Sequence, residues 1–169
     1  MDIHTSITQL THQADAIRSL SDAISEQQAR WRPTPDDWSL LEVVHHLLDE
    51  EVGDFRTHLD HVLHHGDAPW PRIDPQGWVT ERHYNQQSLP DVLARFLAER
   101  QASLRWLASL KSADLNAGVA APWGTLRAGD LLAAWVAHDL LHLRQLTELR
   151  FAWTQYQAAP YSADYAGEW

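Results

Sequence analysis

The segment "AAWVAHDLLHLRQLTEL" (residues 133–149) indicates the fold of this chain, because its apolar residues recur with helical spacing. On a helical wheel, one sector about 100° wide holds the side chains of Leu131, Trp135, His138, His142, Gln145, Leu146 and Leu149. Two histidines therefore share the face that an amphipathic helix turns towards the core. Their i, i+4 spacing lets two ring nitrogens converge on one ion, yet two hydrogen-bonded core histidines would give the same pattern. The segment alone leaves both interpretations open.

Three other segments have the same helical character. We predict helices over about residues 4–28, 39–65, 88–111 and 129–151. Ser39 and Glu42 form the S-x-x-E pattern of a capping box, and Pro90 falls in the first turn of the third helix. Long connections follow the second and third helices, residues 79–87 are ambiguous, and no strands of consequence are predicted. The expected fold is an all-α, up-and-down four-helix bundle.

Length and composition predict one folded domain over residues 1–169, of which 44% are hydrophobic and 21% charged. The bundle covers about residues 4–151. The tail that follows, 152–169, is rich in aromatic residues: Trp153, Tyr156, Tyr161, Tyr165 and Trp169. We therefore expect this tail to pack on the bundle or on a second subunit.

Charge and hydropathy exclude several classes of partner. The net charge of −10 opposes nucleic-acid binding, which needs a basic face. No apolar run approaches the ~18–20 residues of a membrane span, and the first residues lack the pattern of a signal peptide. We expect a cytoplasmic protein with no membrane partner. Because the chain has no Cys, a metal would be held by His and carboxylate groups.

A further ligand for the two helical histidines is available in "EVVHHLLDEE" (42–51). The helical wheel does not choose between His45 and His46, which lie near opposite edges of the apolar surface. Glu50 could be a ligand, an acid or base, or a solvated carboxylate; we expect the last, since charged helix residues are mostly exposed. Gly53, seven residues after His46, is expected to leave room beside a site.

Other residues near the histidine pair have two interpretations each. Asp139 is 100° from His138 on the wheel, which places it at the surface or against a neighbouring helix. Gln145 either orients a ligand or is a satisfied buried amide. Trp135 either forms a wall of the site or packs in the core.

The remaining histidines give weaker signals. His58, His61, His64 and His65 are expected to form a solvated helix end, where they suit the negative end of the helix dipole. His4 and His12 are expected at the surface. His83 lies in the ambiguous segment, where it could approach a pocket.

Three motifs in this order resemble those of the DinB-like family of metalloenzymes. They are "DDWSLLEVVHHLLDEE" (36–51), "APWGTLRAGDLL" (121–132) and "HDLLHLRQL" (138–146). The resemblance spans about residues 5–150 and implies a four-helix bundle that binds one divalent metal ion, with Zn or Ni expected. Carried over by position, the ligands are His46, which is followed by Leu-x-Asp, together with His138 and His142.

The same resemblance defines the functional prediction. Some similar proteins are low-molecular-weight thiol S-transferases or thiol-dependent isomerases, and members of the family are frequently homodimers. We therefore predict a metal-dependent enzyme acting on a small molecule, as a thiol S-transferase or a hydrolase, with no catalytic residue assigned. The alternatives are a metal-binding or stress-response module without turnover, and a bundle whose histidines are only structural.

Overall fold

The computed structural model describes residues 2–110, 112–121 and 124–167. Its α-helices are α1 (Ile3–Ser21), α2 (Glu26–Arg30), α3 (Leu40–Glu50), α4 (Thr57–His64), α5 (Pro75–Glu81), α6 (Leu89–Ser109) and α7 (Ala128–Ala158). Two strands, β1 (Gly118–Ala121) and β2 (Gly124–Arg127), pair as an antiparallel hairpin. A π-helical stretch, Glu51–Arg56, makes α3 and α4 one continuous rod, and short 3₁₀ turns lie at Tyr84–Gln86 and Asp164–Ala166.

Helices α1, α3 with α4, α6 and α7 form a four-helix bundle, which confirms the predicted fold class. Its core consists of two clusters of apolar side chains, one after the other along the bundle. The first joins the end of α1 to the starts of α3 and α6 and to the second half of α7; it includes Ile17, Leu47, Phe96 and Leu146. The second joins the start of α1 to α4, the end of α6 and the first half of α7; it includes Leu10, Leu59, Leu107 and Leu132.

The clusters define the connectivity. Helices α1 and α7 run in one direction, and α3, α4 and α6 run in the other. The alternation of an up-and-down bundle therefore holds from α1 to α3 and from α6 to α7, but not from α4 to α6. Parallel neighbours need a connection that returns along the bundle. The segment 65–88, which contains α5, provides that connection.

The start of α3 follows the predicted capping box. Ser39 Oγ accepts a hydrogen bond from Glu42 N at 3.2 Å, and a Glu42 carboxylate oxygen accepts one from Ser39 N at 2.8 Å. Arg32 pairs with the same carboxylate. This cap fixes the first turn of the helix that carries His45 and His46.

The structure differs from the sequence prediction at two helix ends and in the hairpin. Helix α1 ends at Ser21 rather than near residue 28, because Ala23 adopts a positive φ of 54° and Ser25 caps a separate α2. Helix α7 continues to Ala158, because Trp153 is buried and meets the Trp31 ring at 5.4 Å. The hairpin was not predicted, because strands of four residues are too short to show alternation.

The aromatic tail packs only in part. Trp153 lies in the core and Tyr156 contacts the Trp31 ring at 5.4 Å, whereas Tyr161 and Tyr165 are exposed. Trp169 lies outside the described residues. Contact of the tail with a second subunit stays a prediction. Among the described helices, none combines the length and the apolar character needed to cross a membrane.

Candidate metal centre

Three histidines from two helices meet inside the bundle. His46 of α3 places Nε2 at 3.3 Å from Nε2 of His138, and His142 Nε2 lies 3.1 Å from the same atom. One ring nitrogen of each histidine lies within 4.8 Å of the other two. Nitrogens bound tetrahedrally to one zinc ion at ~2.0–2.1 Å are about 3.3–3.4 Å apart. The three predicted residues therefore form a triad that is capable of binding a metal ion.

The position of His45 shows why the helical wheel could not choose between the neighbours. Nearly all of α3 is buried, so that it has no single apolar side. His46 faces α7, whereas His45 faces the connection after α4 and stacks on Tyr84 at 4.0 Å between ring centroids. His45 is not part of the triad.

The environment keeps the triad imidazoles neutral. Burial, with the neighbouring His142 and His138, lowers the pKa of His46 to about 3. Burial and His142 likewise lower the pKa of His138 to about 3. Burial also lowers the pKa of His142, although the hydrogen bond that His142 donates to Gln145 opposes this. Neutral imidazole is the form that binds a metal ion.

Gln145 orients one member of the triad. Its Oε1 accepts a hydrogen bond at 2.8 Å from Nδ1 of His142, one turn earlier on α7. This bond assigns the proton to Nδ1 and leaves the Nε2 lone pair pointing towards His138 and His46. The contact supports the first of the two interpretations of Gln145, that it orients a ligand.

Glu50 is buried, and the expectation of a solvated carboxylate is wrong. It is 4% exposed, and its Oε1 lies 3.9 Å from Nδ1 of His46. Burial and the neighbouring Asp54 raise the pKa of Glu50 to about 9, so that it carries a proton at neutral pH. The sequence places Glu50 one turn after His46, but the burial of Glu50 depends on the packing of α3 and the π-helical stretch against α6 and α7.

His58 and His61 are also buried, contrary to the prediction of a solvated helix end. The segment after α4 folds back and places Trp70 against both rings, at 4.4 Å and 5.4 Å. His58 Nδ1 donates to Asp54 Oδ1 at 2.6 Å, and its Nε2 donates to the Pro71 carbonyl at 2.9 Å. Despite burial, these bonds raise the pKa of His58. His64 and His65 are exposed beside Asp60, as expected.

Aromatic rings enclose the triad. Trp38 meets His46 at 5.0 Å, and Phe55 meets His138 at 4.9 Å between ring centroids. Phe55 also stacks on Trp135 at 5.6 Å, so that Trp135 supports the wall from the core. Sequence reasoning had not assigned Phe55 or Trp38 to the site.

The space expected at Gly53 is occupied. A Cβ at this position would lie 2.9 Å from Cη2 of Trp78, so the missing side chain makes room for that ring. The glycine therefore allows α5 to pack closely on the π-helical stretch and does not widen the triad.

A buried ion-pair network, which the sequence pattern does not predict, holds the helix that carries His138. Arg100 of α6 donates to Asp139 Oδ2 at 2.6 Å, to Glu51 Oε1 at 2.9 Å and to the Leu10 carbonyl at 3.0 Å. Asp139 therefore faces a neighbouring helix, one of its two predicted positions. Trp135 Nε1 donates to Glu51 at 3.2 Å. The network links α1, the π-helical stretch, α6 and α7 next to the triad.

Comparison with known proteins agrees with this architecture. The sequence model of the DinB superfamily matches residues 9–146. The chain belongs to the DinB superfamily. Curated protein sequences give no significant match to this DinB-superfamily chain.

YfiT from Bacillus subtilis is among the solved structures that are similar to this chain, over most of both chains. It is described as a probable metal-dependent hydrolase with an unusual four-helix bundle topology. The TM-score is 0.76 and the sequence identity 17%, over 87% of this chain and 85% of YfiT. At this identity the likeness shows a shared fold.

Proposed function

We propose that this DinB-superfamily chain is a divalent-metal-dependent hydrolase, with His46, His138 and His142 as the metal ligands. The observation that carries the proposal is the convergence of their Nε2 atoms at 3.1 Å and 3.3 Å inside the bundle. The similarity of fold to YfiT, a probable metal-dependent hydrolase, supports the reaction class.

The donor set fits a metal ion. Three neutral imidazoles are the ligands of many catalytic zinc sites, and they also suit nickel. Bound to these imidazoles, such an ion would supply Lewis-acid chemistry, lowering the pKa of water and polarising a carbonyl. The Nδ1 atom of His46 and Oε1 of Glu50 are buried with no hydrogen-bond partner among the described residues. This pair is arranged for an Nδ1–H donor on a ligating imidazole.

The surrounding side chains have separate roles in this proposal. Gln145 holds His142 in the tautomer that presents Nε2. Glu50, whose Oε1 lies 3.9 Å from Nδ1 of His46, would accept Nδ1–H once that imidazole binds the ion. Trp38 and Phe55 exclude water from the triad on two sides. The Arg100 network keeps His138 in place through its neighbour Asp139. All four features orient or shield the imidazoles, as a preorganised site requires.

Thiol S-transfer and metal binding without turnover remain the competing functions. No contact in the described part of the chain favours a thiol over water, so both stay predictions, as do the homodimer and the cytoplasmic location. Zinc and nickel also remain alternatives, because imidazole ligands accept both ions.

Metal analysis and turnover assays test the proposal. We expect about one divalent ion per purified chain, and none in His138→Ala, because two imidazoles bind more weakly than three. His12→Ala, an exposed histidine of α1, is the matched control and should keep the ion. Hydrolysis of ester or amide substrates that depends on the ion would support the hydrolase. Activity only with a thiol and an electrophile would instead indicate a thiol S-transferase. A protein that binds the metal but is inactive in all these assays would indicate metal binding without turnover.

A further inference from the structure

A cleft of about 470 Å³ lies beside the candidate metal centre. Most of its wall is apolar, formed by Phe55, Trp70, Pro71, Ile73, Leu126, Leu131 and Ala134. Its volume is in the range of pockets that enclose a small organic molecule. A flat wall is provided by Trp70, whose ring stacks on His58 with an interplanar angle of 15°.

The cleft and the triad share a wall. Phe55 lines the cleft, and its ring lies 4.9 Å from the ring of His138. Ala134 and Leu131 line the cleft four and seven residues before His138 on α7, which corresponds to about 6 Å and 10 Å along the helix axis. A molecule of moderate length in the cleft therefore has one end near the triad.

The charged side chains that line the cleft differ in whether they are already paired. Asp54 and His58 line it, but they are paired with each other at 2.6 Å, and the second ring nitrogen of His58 is bonded to Pro71. Arg72 is exposed and also lines the cleft. Within residues 2–110, 112–121 and 124–167, its guanidinium has no hydrogen-bond or ion-pair partner. Arg72 is therefore the charged group that a ligand in this cleft can engage.

We propose that the cleft binds an organic anion: a molecule with a flat apolar body against Trp70 and Phe55, and a carboxylate or sulfonate on Arg72. The guanidinium fork matches such a planar or tripodal oxyanion, and the apolar walls match the body. That this ligand is the substrate of the metal centre rests on the proposed function. The binding site itself does not depend on it, because none of its residues belongs to the triad.

A pair of fluorescent probes separates the anion from the apolar body. 1-Anilinonaphthalene-8-sulfonate carries a sulfonate, and N-phenyl-1-naphthylamine has the same rings without it. We expect the wild type to bind the sulfonate more tightly. Arg72→Gln should weaken its binding by about three- to tenfold, the range of a charge-assisted contact, and leave the neutral probe unchanged. Arg105→Gln, an exposed arginine of α6, should change neither.

A second pair of variants locates the probes. Ala134→Phe fills the cleft and should abolish binding of both probes, whereas Ala137→Phe, exposed on the same helix outside the cleft, should not. His138→Ala should lose metal and keep probe binding, so that failure of the metal site and failure of the cleft are distinguished. Equal affinity of Arg72→Gln and wild type for the sulfonate, or undiminished binding to a folded Ala134→Phe protein, would overturn the proposal.

Discussion

Oε1 of Glu50 lies 3.9 Å from Nδ1 of His46, and neither atom has a hydrogen-bond partner among the described residues. A carboxyl group one turn from a buried histidine, on the same side of the helix, is available to accept Nδ1–H once the imidazole binds an ion through Nε2. In the metal-free protein the same group is a source of instability. Its burial, with the neighbouring Asp54, favours the protonated form, which loses its proton only at alkaline pH.

Replacing Glu50 should therefore change the alkaline limb of the stability profile. Its pKa is about 9 in the folded chain and 4.5 ordinarily, so the unfolded state loses the proton first and stability falls as pH rises from 4.5 to 9. Glu50→Gln keeps the shape of the side chain but cannot ionise. It should therefore raise the free energy of unfolding at pH 9 by up to about a few kcal/mol relative to the wild type. Urea unfolding of metal-free protein at pH 5, 7 and 9 measures the effect. The exposed Glu81→Gln is the control, and parallel profiles for wild type and Glu50→Gln would contradict the assignment.

The triad should determine the acid limb. His46 and His138 have a pKa of about 3 when folded and 6.5 ordinarily, so the unfolded chain binds protons first as the pH falls. The contribution of these two histidines to metal-free stability is therefore fully present above pH 6.5 and is lost as the pH falls towards 3. His138→Gln should make this decline shallower, whereas the exposed His12→Gln should leave it unaltered. Thermal unfolding followed by circular dichroism between pH 4 and pH 8 tests the difference in slope.

Loss of Arg100 should be strongly destabilising. Arg100→Met leaves the carboxylates of Glu51 and Asp139 buried without their cation, which costs about 3–5 kcal/mol. Arg105→Met, exposed on the same helix, should change stability by less than about 0.5 kcal/mol. Denaturant unfolding measures both values. Unfolding of Arg100→Met at the same denaturant concentration as the wild type would show that the network contributes nothing to stability.

Gln145 should control metal affinity without controlling the fold. Gln145→Leu removes the acceptor of the His142 Nδ1–H group and should lower the affinity for zinc by about 10–100-fold, the usual effect of losing such a partner. The matched control is Gln155→Leu, an exposed glutamine further along α7. Competition with a chromogenic chelator gives the affinity. Equal affinities in the two variants would show that Gln145 has only a packing role.

The sequence predicts those features that depend on local spacing. The i, i+4 histidines of α7 and the capping box at Ser39 depend on residues within one or two turns, and both are found as predicted. The burial of Glu50 and His58 depends on long-range packing, by α6 and α7 in one case and by the returning segment at Trp70 in the other. The choice of His46 came from the family resemblance, since α3 is buried on both sides. The parallel course of α4 and α6 follows from a connection whose path local patterns do not specify.

The π-helical stretch Glu51–Arg56 changes which direction the side chains face before and after it on the α3–α4 rod. A π turn holds one residue more than an α turn, which rotates everything beyond it by about 100° relative to an uninterrupted helix. Before this stretch, His46 belongs to the triad and Glu50 lies beside it. After it, His58 faces the cleft, and Phe55, within the stretch, contacts both sites. A single inserted residue thus lets one continuous helical rod contribute side chains to both the triad and the neighbouring cleft. Deleting one residue there, for instance the partly exposed Val52, would restore a regular α-helix and rotate His58 away from the cleft.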